Sequence, residues 1–342
     1  MDMREANKEQ IDFVIAWVDG ADPAWLAQKS LYDGEQTSDD RDVRYRDWDT
    51  LRYWFRGVER FAPWVRTIHF VTWGHLPAWL DTTNPKLHIV NHRDFIPEKY
   101  LPTFSSHTID LNLHRIPGLS ERFVYFNDDM FLLKETCPEV FFKNGLPCDA
   151  AVHIPMAANR TDRFFVPMTN IAVLNSHFKM RECIKSNLGK WLNPLYGKNA
   201  VNTALLLPYS RFFGFCRFHL PNSFLRSTFD EVWSLEPDIL DETSSHRIRI
   251  NTDVNQWLFE WWQLASGKFT PRSPKVGKAF GIAADGGDGV EEAARYISRQ
   301  GGYMVCVNDG AWVDDFEAAK KAISAAFESI LPERSSFERE GA

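Results

Sequence analysis

The sequence predicts an α/β protein built on a mostly parallel β-sheet. Short apolar runs rich in β-branched residues, which are typical of buried strands, alternate with segments whose apolar residues recur every three or four positions, as in amphipathic helices. A long, mostly helical stretch interrupts this alternation, which returns near the end of the chain. Although 342 residues would on average form two domains, we expect one α/β core with a helical insertion.

The first half of the chain contains most of the predicted strands. Residues 11–18 form an apolar run that ends at Asp19-Gly20, which indicates a buried strand followed by a turn. The polar residues 24–43 are expected to form a loop. The other elements predicted in this half are a helix over 47–62, strands over 67–73 and 87–91, a short helix over 108–116, and strands over 121–126 and 149–154.

The second half is predicted to begin with helices and to end with a strand and a helix. Residues 170–265 have helical patterns, with breaks at Pro194, Pro208, Pro221 and Pro237. Residues 266–289, rich in Gly, Lys and Pro, are expected to form a loop. Asp288 and Glu291 predict a capping box for a helix over 290–299. A last strand over 302–307 and a helix over 314–331 follow.

The predicted division of the chain is a first part of the core in 1–155, a helical insertion in 156–290 and the completion of the core in 291–342.

Composition and charge exclude several classes of protein. The net charge of −7 argues against a general nucleic-acid binder, which needs a basic field. The polar N-terminus is not that of a signal peptide, and no apolar run is long enough to span a bilayer. Five cysteines without a CxxC pair favour reduced thiols and a cytoplasmic location.

Three predicted strands end in acidic turns, at residues 17–20 (WVDG), 126–129 (FNDD) and 307–310 (VNDG). Ligands of open α/β sheets bind outside the carboxyl ends of the strands, so these turns could form one site. Carboxylate and amide oxygens suit a hard cation such as Mg²⁺, bound together with a diphosphate. The alternative is that these are ordinary turn residues. Asp128 and Asp129 can share a site only if the chain turns there, because neighbouring strand residues point to opposite faces.

Arginines could supply the charge that a diphosphate requires. Arg46, Arg52 and Arg56 lie in or near the predicted helix over 47–62, and guanidinium groups match phosphate oxygens. The alternative for Arg52 and Arg56 is a solvated helix face, on which Arg52 pairs with Asp49. The sequence has no GxxxxGK[ST] motif, which excludes a P-loop enzyme.

The histidines indicate a metal or catalytic site less strongly than the acidic turns do. His107, Asp110 and His114 share one face of the predicted helix over 108–116 and could bind a metal, although their spacing matches no zinc motif. Taken alone, His219 is more typical of a structural histidine than of a ligand or a base. The 14% aromatic content is consistent with core packing and with a surface that stacks on sugars.

Taken together, five segments resemble the Stealth family, which includes bacterial capsular polysaccharide phosphotransferases and the catalytic subunit of the lysosomal-enzyme GlcNAc-1-phosphotransferase. The segments are residues 11–23, 44–80, 101–131, 218–224 and 303–310. The resemblance implies transfer of hexose-1-phosphate, GlcNAc-1-phosphate or a related group, from a UDP-sugar donor to a hydroxyl of a glycan acceptor. UMP would leave and a phosphodiester would form, in capsular or cell-surface polysaccharide synthesis. It also implies Mg²⁺, with Mn²⁺ as the alternative, and a Rossmann-like core of the glycosyltransferase A type.

The resemblance further implies which residues form the site. The catalytic residues would be Asp128, Asp129, His219 and Arg249, and the metal ligands would be Asp128, Asp129 and Asn308. The residues that bind the donor and its phosphates would be Trp17, Asp19, Gly20, Arg46, Asp49, Arg52, Ser105, Ser106, His114 and Arg115. Trp73, His75, His107 and Asp110 stand where the family commonly has Asn, Gln, Pro and Glu. These departures leave the identity of the donor sugar open.

Two other functions fit the same sequence. One is a metal-dependent UDP-sugar glycosyltransferase that releases UDP, and the other is a non-catalytic glycan-binding module. For the transferase, the base that takes the hydroxyl proton is His219 or one of the aspartates. Peripheral association with a membrane would use the basic segment from Lys268 to Lys278, although a solvated loop is the favoured interpretation. The sequence does not predict the oligomeric state or the acceptor.

Overall fold

The computed structural model describes residues 10–32, 46–157, 165–282, 289–309, 313 and 315–340. The β-strands are β1 (Ile11–Ala16), β2 (Ile68–Thr72), β3 (Leu87–Asn91), β4 (Arg122–Asn127), β5 (Met130–Leu132), β6 (Phe142–Lys143), β7 (Leu146–Asp149), β8 (Asn222–Leu225), β9 (Thr270–Pro271), β10 (Gly277–Ile282) and β11 (Met304–Asp309). The α-helices are α1 (Pro23–Lys29), α2 (Leu51–Phe61), α3 (His92–Phe95), α4 (Ser106–Asn112), α5 (Val166–His177), α6 (Met180–Ser186), α7 (Leu188–Trp191), α8 (Asn199–Leu206), α9 (Arg226–Leu235), α10 (Pro237–Ser245), α11 (Trp257–Ala265), α12 (Val290–Ser298) and α13 (Phe316–Ile330).

Five strands form the central sheet, in the order β3-β2-β1-β4-β8. The first four are parallel to one another, and β8 is antiparallel to β4. In the middle of the sheet, Ile15 of β1 lies opposite Phe70 of β2 and Phe126 of β4. The carboxyl ends of β1, β2 and β4 therefore lie along one edge of the sheet, where ligands of such sheets bind.

A second sheet brings the last strand back to this edge. Its order is β10-β11-β5, with β10 parallel and β5 antiparallel to β11. Only Asp128 and Asp129 separate the end of β4 from the start of β5, so this turn joins the two sheets. Cys306 of β11 pairs with Met130 of β5, which places the end of β11 beside the acidic turn.

The core forms a layer on each face of the central sheet. Because successive strand residues point to opposite faces, Phe13 packs with α2, α13 and the second sheet, and Val14 packs with α5, α9 and α11. Aromatic side chains fill both layers; the rings of Phe229 and Phe259, for example, stack with centroids 3.7 Å apart. Burying a phenylalanine contributes about 1.5–3 kcal/mol, so much of the aromatic content serves stability.

The loop predicted over 24–43 is wrong at its start, where α1 forms. The Asp22 carboxylate accepts a 2.8 Å hydrogen bond from the Trp25 N–H, and Pro23 occupies the first helical position. Both features are ordinary helix-start signals, which the polar composition of the segment obscured. Residues 33–43 of the predicted loop lie outside the described residues.

Two other predicted segments need correction. The strand predicted over 149–154 lies earlier, as β7, and the residues after it form only an isolated bridge between His153 and Phe215. The loop predicted over 266–289 contains β10. A β-carbon at Gly277 would lie 2.5 Å from the Met304 carbonyl oxygen, so this glycine permits close strand pairing. Asp288 of the predicted capping box lies outside the described residues.

The predicted α/β class with a mostly parallel sheet is confirmed. Most of the other predicted elements lie within a few residues of their observed positions. The described part of 156–290 is mainly helical, but it also supplies β8 to the central sheet and β10 to the second sheet. The division of the chain at 155 and 290 stays a prediction. Within the described ranges, no helix combines the length and the apolar character needed to cross a bilayer.

Candidate active site

The acidic turn after β4 lies against the end of β11. The Val307 N–H donates a 2.8 Å hydrogen bond to the Asp129 carbonyl oxygen, which fixes the backbones of the two segments. The Asn308 side chain then reaches the same residue, and its Nδ2 donates to Asp129 Oδ2 at 3.0 Å. Two of the three acidic strand ends recognised in the sequence thus meet at Asp129.

His219 completes this cluster from the segment before β8. Its Nε2 lies 3.6 Å from Asp129 Oδ2 and 3.3 Å from Asn308 Nδ2. The residue has a φ of 48°, which is uncommon for any residue but glycine. Such strain costs about 1–3 kcal/mol and is concentrated at functional sites. The structure therefore places Asp129, His219 and Asn308 in direct contact, as the family resemblance implies.

The Asp129 carboxylate is held in its charged form. Burial alone would raise its pKa, but the hydrogen bond and the charge of His219, aided by Asn308 and Cys306, lower the pKa below the usual range of an aspartic acid. Its Oδ1 is buried and has no hydrogen-bond partner among the described residues. A buried carboxylate oxygen without a partner is costly unless a ligand satisfies it.

Asp128 behaves differently from its neighbour. Desolvation in the cleft, reinforced by the nearby charge of Asp129, raises the pKa of Asp128 to about 7. The side chain still has contact with solvent at the mouth of the site, so an incoming cation could reach it. The two adjacent carboxylates thus differ sharply in their affinity for a proton.

The potential ligand atoms of this cluster fit the predicted cation, Mg²⁺. Asp128 and Asp129 offer carboxylate oxygens, and Asn308 offers its amide oxygen, which is the donor set that Mg²⁺ prefers. Asp129, His219 and Cys306 also hold one ligand atom each within 4.8 Å of one another. Burial raises the pKa of the Cys306 thiol well above its usual range, and a neutral thiol is a poor ligand. The oxygen set therefore fits a metal better.

A second pocket lies at the end of β1. The Asp19 N–H donates a 2.8 Å hydrogen bond to His75 Nε2, and the Ala21 N–H donates to Asp19 Oδ1 at 2.9 Å. Burial lowers the pKa of His75, which keeps the ring neutral and able to accept. The Trp17 ring packs edge-on against His75, with centroids 5.3 Å apart. One of the departures from the family pattern, His75, thus shapes the turn that carries Asp19 and Gly20.

The arginines of the first half that were considered for phosphate binding form ion pairs with acidic residues of the chain. Arg46 forms a two-pronged ion pair with Asp309, through Nε at 3.0 Å and a terminal nitrogen at 2.9 Å. Arg52 lies 3.8 Å from Asp49, with both side chains substantially exposed, which is the pairing weighed as an alternative. Arg56 is buried and pairs with Glu338 at 2.8 Å, so its role is structural and not phosphate binding.

Arg249 is placed by a buried carboxylate on its own loop. Asp253 accepts hydrogen bonds from His107 Nδ1 at 2.8 Å, His246 Nδ1 at 2.7 Å and the Ile250 N–H at 3.0 Å. These bonds close the loop from 246 to 253. Burial raises the pKa of a second acid, Asp110, and the charge of Arg249 offsets part of this rise.

Asp110 connects this loop with the acidic turn. Its Oδ1 accepts a 2.7 Å hydrogen bond from the Tyr125 hydroxyl, and its pKa is raised to about 7, mainly by burial. Burial also raises the pKa of Tyr125, with further contributions from the charges of Asp110, Asp128 and Asp129. Asp110 is thus linked to Tyr125 of β4 by a hydrogen bond and to Arg249 by charge.

None of the described contacts of Ser105, Ser106, His114 and Arg115, which lie in or beside α4, reaches Asp129, His219 or Asn308. Ser105 is fully buried, and burial lowers the pKa of His114 to about 3. Arg115 stacks on Trp233, 4.4 Å from the ring centroid. Ser106 is half-buried beside Ser105. The described contacts of these residues are to the helical layer, so direct contact with the acids stays a prediction that the geometry does not favour.

The metal-binding face considered for α4 is also wrong. His107, Asp110 and His114 are buried, whereas Ile109 on the expected apolar face is only half-buried. His107 and Asp110 hydrogen-bond to Asp253 and Tyr125, respectively, instead of sharing a ligand.

A cleft that is open to solvent is lined by His219 and by Asn222 of β8. Its polar lining comes from Asp149, Arg217, His219, Asn222, Gln256, Glu260 and Arg272. Sequence analysis missed Asp149 and Glu260. One signal was available, because Glu260 is the single charged residue of α11, whose other residues are mostly large and apolar. A charge in such a helix is rarely buried without a partner.

Comparison with family models agrees with this arrangement. The model described as Stealth protein CR1, conserved region 1, matches residues 9–37, and that of Stealth protein CR2, conserved region 2, matches residues 44–148. The two matches contain Trp17, Asp19, Asp128 and Asp129. The cleft and the residues around His219 and Asn308 lie outside them.

Relatives match nearly the whole chain. The capsular polysaccharide phosphotransferase WcwK of Streptococcus pneumoniae is 38% identical over 338 residues, 97% of this chain and 99% of the relative. The receptor polysaccharide phosphotransferase WefC of Streptococcus oralis is 40% identical, with 96% and 99% coverage. The exopolysaccharide phosphotransferase cps2G of Lactiplantibacillus plantarum is 37% identical, covering 96% of each chain.

Among solved structures, the galactosyltransferase LgtC in complex with donor and acceptor sugar analogues matches 95% of this chain and 98% of its own, with 11% identity. Its TM-score of 0.34 is too low to carry an argument. The identity and coverage of the sequence relatives are sufficient by themselves. The chain belongs to the Stealth family and is a phosphotransferase enzyme.

Proposed function

We propose that this enzyme transfers hexose-1-phosphate, with GlcNAc-1-phosphate as the first candidate, from a UDP-sugar to a hydroxyl group of a glycan acceptor in capsular or exopolysaccharide synthesis. UMP is released and a phosphodiester is formed. The observation that carries the proposal is the contact of Asp129 with Asn308 and His219 at the meeting point of β4 and β11. The names of the sequence relatives support the polysaccharide acceptor.

The donor nucleotide is assigned to the end of β1. Open α/β sheets bind nucleotides outside the carboxyl ends of their strands, and the Trp17–Gly20 turn is the strand end beside β2. Trp17 offers an aromatic edge and Asp19 offers a carboxylate at this position. With the nucleotide there, its diphosphate would extend toward β4, where the acids lie.

The acids and the amide of the cluster would hold the Mg²⁺ ion, with Mn²⁺ as the alternative. Asp128, Asp129 and Asn308 supply the oxygens, and the partnerless Oδ1 of Asp129 supports a ligand at this point. When bound, the ion would neutralise charge on the diphosphate. Arg46, paired with Asp309, would position the end of β11, and Arg249 would stabilise the equatorial phosphate oxygens.

His219 is the proposed general base. It lines the cleft from which an acceptor could enter, and its Nε2 lies 3.6 Å from the Asp129 carboxylate, which would stabilise the protonated imidazole. The acceptor oxygen gives its proton to His219 and bonds to the phosphorus that carries the sugar. The bond from that phosphorus to the UMP oxygen breaks in the same in-line step.

Phosphorus NMR tests the reaction class. The chain is incubated with UDP-GlcNAc, Mg²⁺ and simple methyl glycosides as acceptors. UMP and a new phosphodiester signal support the proposal, whereas UDP without a phosphodiester supports the glycosyltransferase alternative. EDTA should stop the reaction and Mg²⁺ should restore it. Membership of a family of named phosphotransferases already overturns the alternative of a non-catalytic glycan-binding module.

The proposed cytoplasmic location and peripheral membrane contact rest on weaker support. Lys268 pairs with Glu231 at 2.6 Å, and Lys278 pairs with Glu292 at 2.7 Å. These ion pairs reduce the charge that the segment could offer to an anionic membrane. A solvated basic loop therefore remains the favoured interpretation. Sedimentation with anionic lipid vesicles would test it.

A further inference from the structure

The cleft beside His219 lies on the opposite side of the acids from the nucleotide pocket. Asn222 of β8 pairs with Tyr125 of β4, so the cleft borders the β8 side of the sheet. The Trp17–Gly20 turn lies on the β1 side. In an in-line displacement, the leaving group and the attacking oxygen lie on opposite sides of the phosphorus. UMP leaving toward β1 requires the acceptor to approach from β8.

The cleft contains a pair of carboxyl groups that share a hydrogen bond. Glu260 of α11 bonds to Asp149 of β7, and burial raises the pKa of both groups, with the larger rise at Glu260. Arg272, which also lines the cleft, moderates both shifts, and Asn222 bonds to Glu260. Burial therefore favours the protonated form of Glu260. A carboxylic acid can donate a hydrogen bond to a neighbouring hydroxyl group, and a carboxylate can accept one.

Gln256 provides a second, independent observation. Its side chain lines the cleft and is only 6% exposed, yet its Oε1 has no hydrogen-bond partner among the described residues. An amide oxygen buried without a partner costs about 1–3 kcal/mol. A hydroxyl group bound in the cleft would remove this cost.

The remaining wall is aromatic and fixed in place. The Trp257 ring stacks on Trp261 at 6.3 Å, and the Arg217 guanidinium lies 4.6 Å from the Trp257 centroid. The cleft therefore combines an apolar wall with hydroxyl-binding groups. Arg217 and Arg272 offset the negative charge of the carboxyl pair, so the cleft is not selective for a cation.

From this placement we infer that the cleft is the acceptor subsite and takes a pyranose, whose vicinal hydroxyl groups bind Asp149, Glu260 and Gln256. The inference rests on the proposed function, because it assigns the acceptor of that same reaction. The attacking hydroxyl lies toward His219. The bonds formed and broken are those of the proposed transfer.

Binding in the absence of donor separates this inference from the reaction itself. Methyl pyranosides of glucose, galactose, GlcNAc and GalNAc serve as probes at millimolar concentration, and saturation-transfer NMR detects their contact with the full chain. At least one probe should bind the wild type. Gln256→Ala should weaken that binding about tenfold, as expected for loss of a buried hydrogen bond.

A matched set of variants tests the protonated acid. Glu260→Gln keeps the shape and a donor, and should retain most of the binding. Glu260→Leu keeps the bulk without the hydrogen bonds and should lose it. Glu182→Gln, on the exposed surface of α6, is the control and should match the wild type. Thermal melting confirms that each variant is folded, and Gln256→Ala remains informative if Glu260→Leu unfolds.

The outcomes distinguish the two proposals. Probe binding that requires Gln256 and Glu260, without any UMP formation, supports the subsite and contradicts the proposed reaction. UMP formation with an acceptor KM that Gln256→Ala leaves unchanged overturns the subsite. A wild-type chain that binds none of the four glycosides also overturns it. An increase in acceptor KM with a smaller change in kcat supports both.

Discussion

Replacing Asp253 with asparagine tests whether one buried carboxylate holds the loop that carries Arg249. Asp253 is fully buried and accepts hydrogen bonds from His107, His246 and the Ile250 N–H, at 2.7–3.0 Å. Asparagine keeps the shape but removes the charge, and it places an amide donor where an acceptor is required. The substitution therefore leaves histidine donors buried without their partner.

The expected loss of stability follows from this burial. Removing one partner from a buried charged network costs about 3–5 kcal/mol. An unfolding entropy of about 2.1 cal/mol/K per residue gives about 0.7 kcal/mol/K for a chain of 342 residues. The Tm of Asp253→Asn should therefore fall by about 4–7 °C. Asp238→Asn, an exposed change on α10, should alter stability by less than about 1 kcal/mol.

The loss should also depend on pH. The hydrogen bond to Asp253 raises the pKa of His246 above 6.5. The contribution of this bond to the free energy of unfolding is therefore complete below pH 6.5, and it disappears as the pH rises through the pKa of His246 in the folded protein. Burial would raise the pKa of Asp253, but His107 and His246 lower it below 3.8; that contribution is present above 3.8 and lost in stronger acid. The difference between wild type and Asp253→Asn should therefore be largest between about pH 4 and 6.5.

Calorimetric melting at pH 5.5 and pH 8.5 measures both effects, and turnover at 25 °C measures the position of Arg249. A misplacement of about 1 Å can cost about 10²-fold in rate, so UMP formation by the folded variant should fall by a similar factor. A Tm within 1 °C of the wild type, or equal losses at both pH values, would refute the reasoning. Normal turnover would show that the loop does not depend on Asp253.

Four further substitutions test other parts of the structure. His219→Ala and Asp129→Asn should each reduce UMP formation by about 10²-fold or more with intact circular dichroism; substantial turnover in either removes that residue from the mechanism. Arg46→Lys loses the two-pronged pair with Asp309 and should weaken Mg²⁺ activation, measured as a higher half-saturating concentration; an unchanged value contradicts the positioning role. Arg56→Ala removes the close partner of the buried Glu338 side chain, which keeps only the longer 3.9 Å ion pair with Arg334 among its described ion pairs, and should cost about 3–5 kcal/mol in urea unfolding, with kcat retained.

Local sequence patterns were sufficient to predict that Asp129 and Asn308 lie close together. Asp129 and Asn308 each follow an apolar strand, and the rule that strand ends of an α/β sheet share one edge requires no knowledge of distant contacts. The structure joins these residues by a 3.0 Å hydrogen bond. His219 could not be placed in this way, because its segment precedes a strand that runs antiparallel to the others. Only the family resemblance indicated it.

Periodicity failed where burial depends on distant partners. The spacing of His107, Asp110 and His114 correctly assigned them to one helix face but gave no sign that this face is buried. Their environment includes Asp253 and Tyr125, which come from other parts of the chain. The pairing of Asp149 with Glu260 could not be predicted for the same reason, since the residues lie on β7 and α11; the lone charge in α11 indicated only that Glu260 needs a partner.

The turn between β4 and β5 explains why the last strand must return to the first sheet. In an extended strand, Asp128 and Asp129 would point to opposite faces; because the chain turns there, Asp129 can meet Asn308 while Asp128 remains at the mouth of the site. Closing the long connection from β5 to β11 costs little extra, since each doubling of a loop adds only about 0.6 kcal/mol. The connection also supplies His219, Arg249 and the proposed acceptor cleft. In the proposed function the inserted segment therefore contributes to the chemistry, and because it also supplies β8 and β10 it is part of both sheets and not a separate cap.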